Sequence, residues 1–133
     1  MDKLNYFAYA SNLDKKQMLA RCPESKPKCG ATLPNYKLVF VGWSRKWRGG
    51  EATLRRATGS KVPGAIYDVS EPCLQRLDRY EDTYGRFKVT VYDEVGNAVE
   101  AVAYIKKGQP EDTPPSKEYL AVIQQGYRDW GIE

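Results

Sequence analysis

The sequence predicts a single α+β domain, built as a small mixed β-barrel or curved sheet flanked by helices. Three observations carry this. The element order runs strand, helix, several strands interrupted by one helix, then a final helix. Phe87 to Tyr92 alternates strictly and is returned by Ala98 to Ile105 across a Gly96-Asn97 turn, which reads as a hairpin. Finally, Tyr119, Val122, Ile123, Tyr127 and Trp130 form one apolar stripe on a last helix capped by Ser116. With 133 residues the chain falls within one ordinary domain, so residues 1–133 are expected to share one core without needing disulfides or metal.

Taken in order, Tyr6-Phe7-Ala8-Tyr9-Ala10-Ser11-Asn12-Leu13 reads as a short apolar strand breaking into a polar turn. A helix from Asp14 to Arg21 follows, with Ser11 or Asn12 as its N-cap, and its first N–H groups would favour an anion. Pro23 to Pro34, with Pro23, Pro27, Gly30 and Pro34, reads as a connecting loop. Strands are expected at Tyr36 to Val41, Glu51 to Arg55 and Val62 to Val69, with Ser44 to Gly50 as a hairpin loop or flap. Ser70 caps a helix over Glu71 to about Tyr80 that tolerates Pro72 in its first turn. Leu74, Leu77 and Glu81 share one face of that helix, whereas Asp78 and Asp82 fall on another, so Glu81 is expected to point inward. Gly108 to Pro115 is a Pro-rich loop.

Histidine is absent, which excludes a Ser-His-Asp triad, a Cys-His dyad and mixed Cys/His zinc sites. Any general base must then be a carboxylate, lysine, tyrosine or thiolate. Cys22, Cys29 and Cys73 are odd in number and follow no secretory leader, so reduced thiols are expected, with Cys73 packed in the first turn of its helix. No segment reaches the roughly 18 apolar residues of a membrane span, and the protein is expected to be soluble and cytoplasmic.

Together, several segments resemble the γ-glutamylcyclotransferase-like family, which includes AIG2-like and BtrG-like members. These are residues 6–13, Glu51-Ala52-Thr53-Leu54, Val62 to Tyr67 leading to Leu77-Asp78-Arg79-Tyr80-Glu81, and Pro115 to Leu120 with Ile123 and Gly126. The resemblance implies cyclisation of a γ-glutamyl group to 5-oxoproline with release of an amine or amino acid, using no cofactor and no metal. It implies Glu81 as the catalytic carboxylate. Tyr9, Ala10, Ser11, Asn12 and Leu13 would hold the charged end of the glutamyl group, and Tyr104 and Tyr119 would line the pocket. Ala10 stands where the family signature has glycine, Asp82 where many relatives have glycine, and Phe87 where many carry a tyrosine; Tyr84 is a substitute hydroxyl.

The partner expected is a small-molecule γ-glutamyl substrate, with a homodimer left open and no membrane. The alternative is a noncatalytic module in which Trp43, Arg45, Lys46, Trp47 and Arg48 grip nucleic acid. Seven basic residues between Lys37 and Lys61 against Glu51 alone keep it in view. In a hairpin flanking the pocket, the same side chains would instead meet an anionic or bulky substrate.

Overall fold

The computed structural model describes residues 3–108 and 110–132; the others, including Gln109 of the expected Pro-rich loop, lie outside the described residues. Five strands close a barrel in the order β1-β3-β2-β4-β5. They are β1 (Leu4–Ala8), β2 (Lys26–Ser44), β3 (Gly49–Val69), β4 (Tyr84–Asp93) and β5 (Ala98–Lys106). Tyr6 of β1 lies opposite Tyr67 of antiparallel β3 and opposite Val102 of parallel β5, so the first strand closes the mixed barrel. Among the described residues, three α-helices complete the fold: α1 (Lys15–Arg21), α2 (Glu71–Tyr80) and α3 (Lys117–Trp130).

The largest departure from expectation lies in β2. Pro23 to Pro34 was expected as loop, yet pairing with β3 begins at Lys26. The prolines are accommodated because Pro27 and Pro34 each border a shift in register, where a missing N–H costs no ladder bond. Tyr36 to Val41 is thus one part of a 19-residue strand, and the expected strands at 51–55 and 62–69 are both parts of β3. The hairpin between β2 and β3 turns at residues 45–48, inside the expected flap.

The first helix also starts differently. Ser11–Leu13 form a 3-10 turn, and the N-cap of α1 is Asp14, whose carboxylate accepts from the N–H groups of Lys16 and Gln17. The Lys15 N–H donates to Asp129. The positive end of α1 is therefore occupied by the protein's own carboxylates, and the expected helix-end anion site is not there. Ser70 and Ser116 cap α2 and α3 as expected, each accepting from the third residue on.

Cys22 and Cys73 are joined in a disulfide, contrary to the expected reduced thiols. The C-cap of α1 abuts the first turn of α2, bringing the two Cα atoms to 5.6 Å, a normal bridging distance. Cys29 remains a free thiol.

The core has two connected parts. Phe7, Leu33, Leu54, Ile66 and Val91 fill the barrel, under Ile123 of α3. Leu13, Met18, Leu74, Leu77 and Tyr67 pack the layer between the barrel wall and the helices. Gly126 makes the second layer possible: a Cβ there would lie 2.4 Å from Leu13 Cβ and 2.7 Å from the Asp14 nitrogen. Only hydrogen at this position lets α3 seat directly on the 3-10 turn.

Candidate active site

A narrow pocket opens where β1 runs into the 3-10 turn. Tyr6, Tyr9, Ala10, Ser11 and Asn12 supply one wall, and Ala52, Glu81, Tyr84, Tyr104 and Tyr119 the other. Of the residues expected from the sequence, only Leu13 is not in this lining. Its side chain is fully buried in the helix layer, and its carbonyl accepts from the Trp130 indole.

The turn is held from outside. Gln17 donates to Ser11 Oγ at 2.8 Å and to Asn12 Oδ1 at 3.1 Å, while Asn12 Nδ2 donates to the Tyr6 hydroxyl at 2.9 Å. The Tyr67 hydroxyl donates to the Asn12 carbonyl. Ser11 and Asn12 thus serve as anchors of the turn rather than as helix caps. As the first residues of a helical turn, their backbone N–H groups have no partner within it. Ala10 has φ of −133°, so its Cβ does not force the left-handed region, and what remains of the departure from glycine is bulk beside the ligand.

Glu81 caps the C-terminus of α2, its N–H donating to the Leu77 carbonyl, which continues the helical phase and turns the carboxylate toward the pocket. Burial raises its pKa from 4.5 to about 7; Arg21, whose Nη1 lies 3.7 Å from Oε1, opposes that rise, and Glu51 adds to it. Arg21 also donates to Asn12 Oδ1 at 3.2 Å, linking the carboxylate to the turn. Asp78, on the other helical face, is held below its ordinary value chiefly by the bidentate Arg86 guanidinium.

Burial raises the phenols of Tyr6, Tyr9, Tyr84, Tyr104 and Tyr119, which keeps them protonated. Several are already committed. Tyr9 donates to the Tyr104 carbonyl at 2.5 Å, and Tyr84 to the Ala52 carbonyl at 2.5 Å. The Tyr104 hydroxyl turns to α2, 2.7 Å from Asp78 Oδ1. By contrast, the oxygens of Tyr6 and Tyr119 accept from Asn12 Nδ2 and the Ala52 N–H. Among the described residues these are the two lining phenols with a proton to spare. Tyr6 was missed by sequence reasoning, because a buried strand tyrosine carries no local signal. Phe87 is 50% exposed and does not line the pocket; Tyr84 does.

A second chamber adjoins the first and shares Ser11, Glu81, Tyr84 and Tyr119 with it. Its other wall includes Arg21, Lys46, Trp47, Glu51 and Tyr80. Trp47 stacks on Tyr119 with ring centroids 4.8 Å apart, so part of the basic, tryptophan-bearing hairpin forms pocket wall, while Trp43 stays 64% exposed. Cys22, Glu24 and Cys73 cluster at ligand distance, but both sulfurs are bonded to each other and cannot hold a metal. No helix of the described residues is long and apolar enough to cross a membrane.

The fold and sequence have clear relatives. Human gamma-glutamylcyclotransferase is 30% identical over 96% of this chain and 71% of its own length, and the bovine protein is 31% identical over the same shares. A solved gamma-glutamyl cyclotransferase superposes with a TM-score of 0.94 at 29% identity, covering 98% of this chain and 82% of that one. YkqA from Bacillus subtilis, at 22% identity and a TM-score of 0.81 over 96% of this chain and 49% of its own, shares the fold. The family model for gamma-glutamyl cyclotransferase, AIG2-like proteins matches residues 6–126, and the chain belongs to that family.

Proposed function

We infer that the protein is a γ-glutamyl cyclotransferase that converts the γ-glutamyl group of a small molecule to 5-oxoproline and releases the attached amine. The observation that carries this reading is the Glu81 carboxylate, half-buried beside the 6–13 turn with its pKa raised to about 7. A carboxylate so poised can take a proton near neutral pH and return it.

The substrate supplies its own nucleophile. Its α-ammonium gives a proton to Glu81, and the freed amine attacks the γ-carbonyl, forming the ring C–N bond. As the tetrahedral centre collapses the scissile C–N bond breaks; Glu81 returns the first proton to the leaving nitrogen and relays to it the second proton that the ring nitrogen sheds, so 5-oxoproline keeps one N–H and the amine departs as an ammonium. No water is consumed. The chain's contribution is placement, because ring closure has high effective molarity only when the extended glutamyl chain is folded back on itself. In this reading the Ser11 and Asn12 N–H groups, without partners inside their own turn, hold the α-carboxylate. Tyr6 and Tyr119, with free phenol protons, are the donors for the carbonyl oxygen as it gains charge.

A mass-spectrometric screen of γ-glutamyl compounds for 5-oxoproline tests this reading. Glu81→Gln is expected to retain fold and substrate binding while losing turnover by at least about 10²-fold; substantial remaining activity would remove Glu81 from its role. A cytoplasmic location and a homodimer belong to the same reading, to be checked by fractionation and by light scattering.

A further inference from the structure

Helix α1 is held at its two ends by different parts of the molecule. At its start Asp14 caps it, the Lys15 N–H donates to Asp129 of α3, and Gln17 donates to Ser11 and Asn12 of the turn. At its end stands Arg21, followed at once by Cys22, whose disulfide partner Cys73 lies in the first turn of α2. The same helix ends on Glu81. One covalent joint therefore ties the residue next to Arg21 to the helix that carries Glu81. Arg21 spans the remaining gap: its guanidinium lies over the Tyr80 ring, 4.4 Å from the centroid, and 3.7 Å from Glu81 Oε1.

A second contact lies over the bridge. Glu24 and Arg76 form an ion pair, and Arg76 Nη2 also donates to Cys22 Sγ at 3.7 Å. An ion pair between partly exposed side chains holds little by itself, so the covalent bond carries the joint. Arg76 Nε is buried with no partner among the described residues. A guanidinium with an unanswered N–H favours a thiolate at Cys22 once the bridge opens. The cluster thus suits two states, a closed disulfide and an open dithiol.

We propose that the Cys22–Cys73 disulfide is a redox-sensitive positioning device for the active site, holding Arg21 against Glu81 while closed and releasing it when reduced. In this role, which rests on the cyclotransferase reading, the bridge makes turnover near neutrality depend on redox state. A dithiol opens it: one sulfur of the dithiol attacks the bridge to form a mixed disulfide, and the second closes a cyclic disulfide. Two electrons and two protons pass to Cys22 and Cys73. The other charged groups facing Glu81 are Lys46 of the 45–48 hairpin, Glu51 of β3 and the adjacent Asp82. The phenols of Tyr6, Tyr9, Tyr84 and Tyr119 face it as well and stay protonated. None of these is carried by α1, so of the charges around Glu81 reduction moves Arg21. With Arg21 farther away, Glu81 keeps its proton to higher pH, and less of the base form is present near neutrality.

The test uses Cys29→Ser protein, which removes the free thiol, in its oxidised form and after prolonged exposure to dithiothreitol. Reduction is expected to move the acid limb of the kcat/KM profile up by about half to one pH unit. The cost is roughly three- to eightfold at pH 6.5 and almost nothing at pH 9. Cys22→Ala/Cys73→Ala is expected to match the reduced protein, and in Arg21→Met the oxidised and reduced forms should share one profile. NMR titration of the carbon-13-labelled Glu81 carboxyl reads the same shift without turnover. An acid limb and titration unchanged by reduction, or an equal shift in Arg21→Met, overturns the assignment and leaves cyclotransferase activity standing. So does loss of the fold in both the reduced and the double-alanine proteins, since the bridge would then be a staple of the whole domain. Absence of 5-oxoproline from every γ-glutamyl compound overturns the function proposed above, while the carboxyl titration still decides whether the bridge holds Arg21 to Glu81.

Discussion

The Arg21 guanidinium lies 3.7 Å from the Glu81 carboxylate, and its side chain is almost wholly shielded from solvent. This pair sets how far burial can raise Glu81. Arg21 stabilises the ionised form, so without it the carboxylate would hold its proton to higher pH. Arg21→Met is expected to move the acid limb of the kcat/KM profile from about 7 toward about 8, with roughly tenfold loss at pH 6.5. Arg21→Lys should lie between the two. A pH–rate profile of the three proteins checks this.

Glu81 also makes stability depend on pH. Its folded value, about 7, lies above its ordinary 4.5, so between these values the native state holds a proton that the unfolded chain has released. The native state therefore loses stability as pH rises through this window, and the loss persists above it. Glu81→Gln is free of that cost. The variant is expected to exceed the wild type by about 2 kcal/mol at pH 8, with the advantage vanishing toward pH 4. Urea unfolding at the two pH values measures it.

Gly126→Ala should disturb fold and site together. The added methyl would overlap Leu13 Cβ and the Asp14 nitrogen, the latter being backbone that cannot rotate away. A cost of about 2–3 kcal/mol is expected, against the small gain alanine brings to an open helix position. Because the displaced atoms adjoin Ser11 and Asn12, KM should rise as well; thermal unfolding and steady-state kinetics read the two effects.

The Cys22–Cys73 bridge closes a long loop whose ends are 51 positions apart. On chain-entropy grounds its removal by Cys73→Ser is expected to cost roughly 3–4 kcal/mol, lowering Tm by about 10 °C or more. Both cysteines are fully buried, so a mild reductant acting on the folded protein should produce this change only slowly. Following Tm against time of reduction checks both statements.

What could be read from the sequence was whatever left a local trace. Leu74, Leu77 and Glu81 share a helical phase, and that phase alone turns Glu81 toward the pocket where it is found. The caps Ser70 and Ser116 and the β4–β5 hairpin were legible for the same reason. Pro27 and Pro34 misled because proline signals a break, and only long-range pairing with β3 shows that the break is a bulge. Ser11 and Asn12 were expected as caps because their chemistry suits one, but Asp14 caps α1 while Gln17 and Tyr6 engage their side chains. The cysteine count could not reveal which helix ends meet.

The seat of α3 on the 3-10 turn bears on how the protein comes into being. The ligand-holding turn is made from residues 11–13, yet it is wedged in place by Gly126, and β1 cannot finish pairing until β3 and β5 exist. A ribosome therefore delivers one half of the site at the beginning of translation and the piece that locks it near residue 126. Until then the nascent chain carries every reactive group and no enzyme.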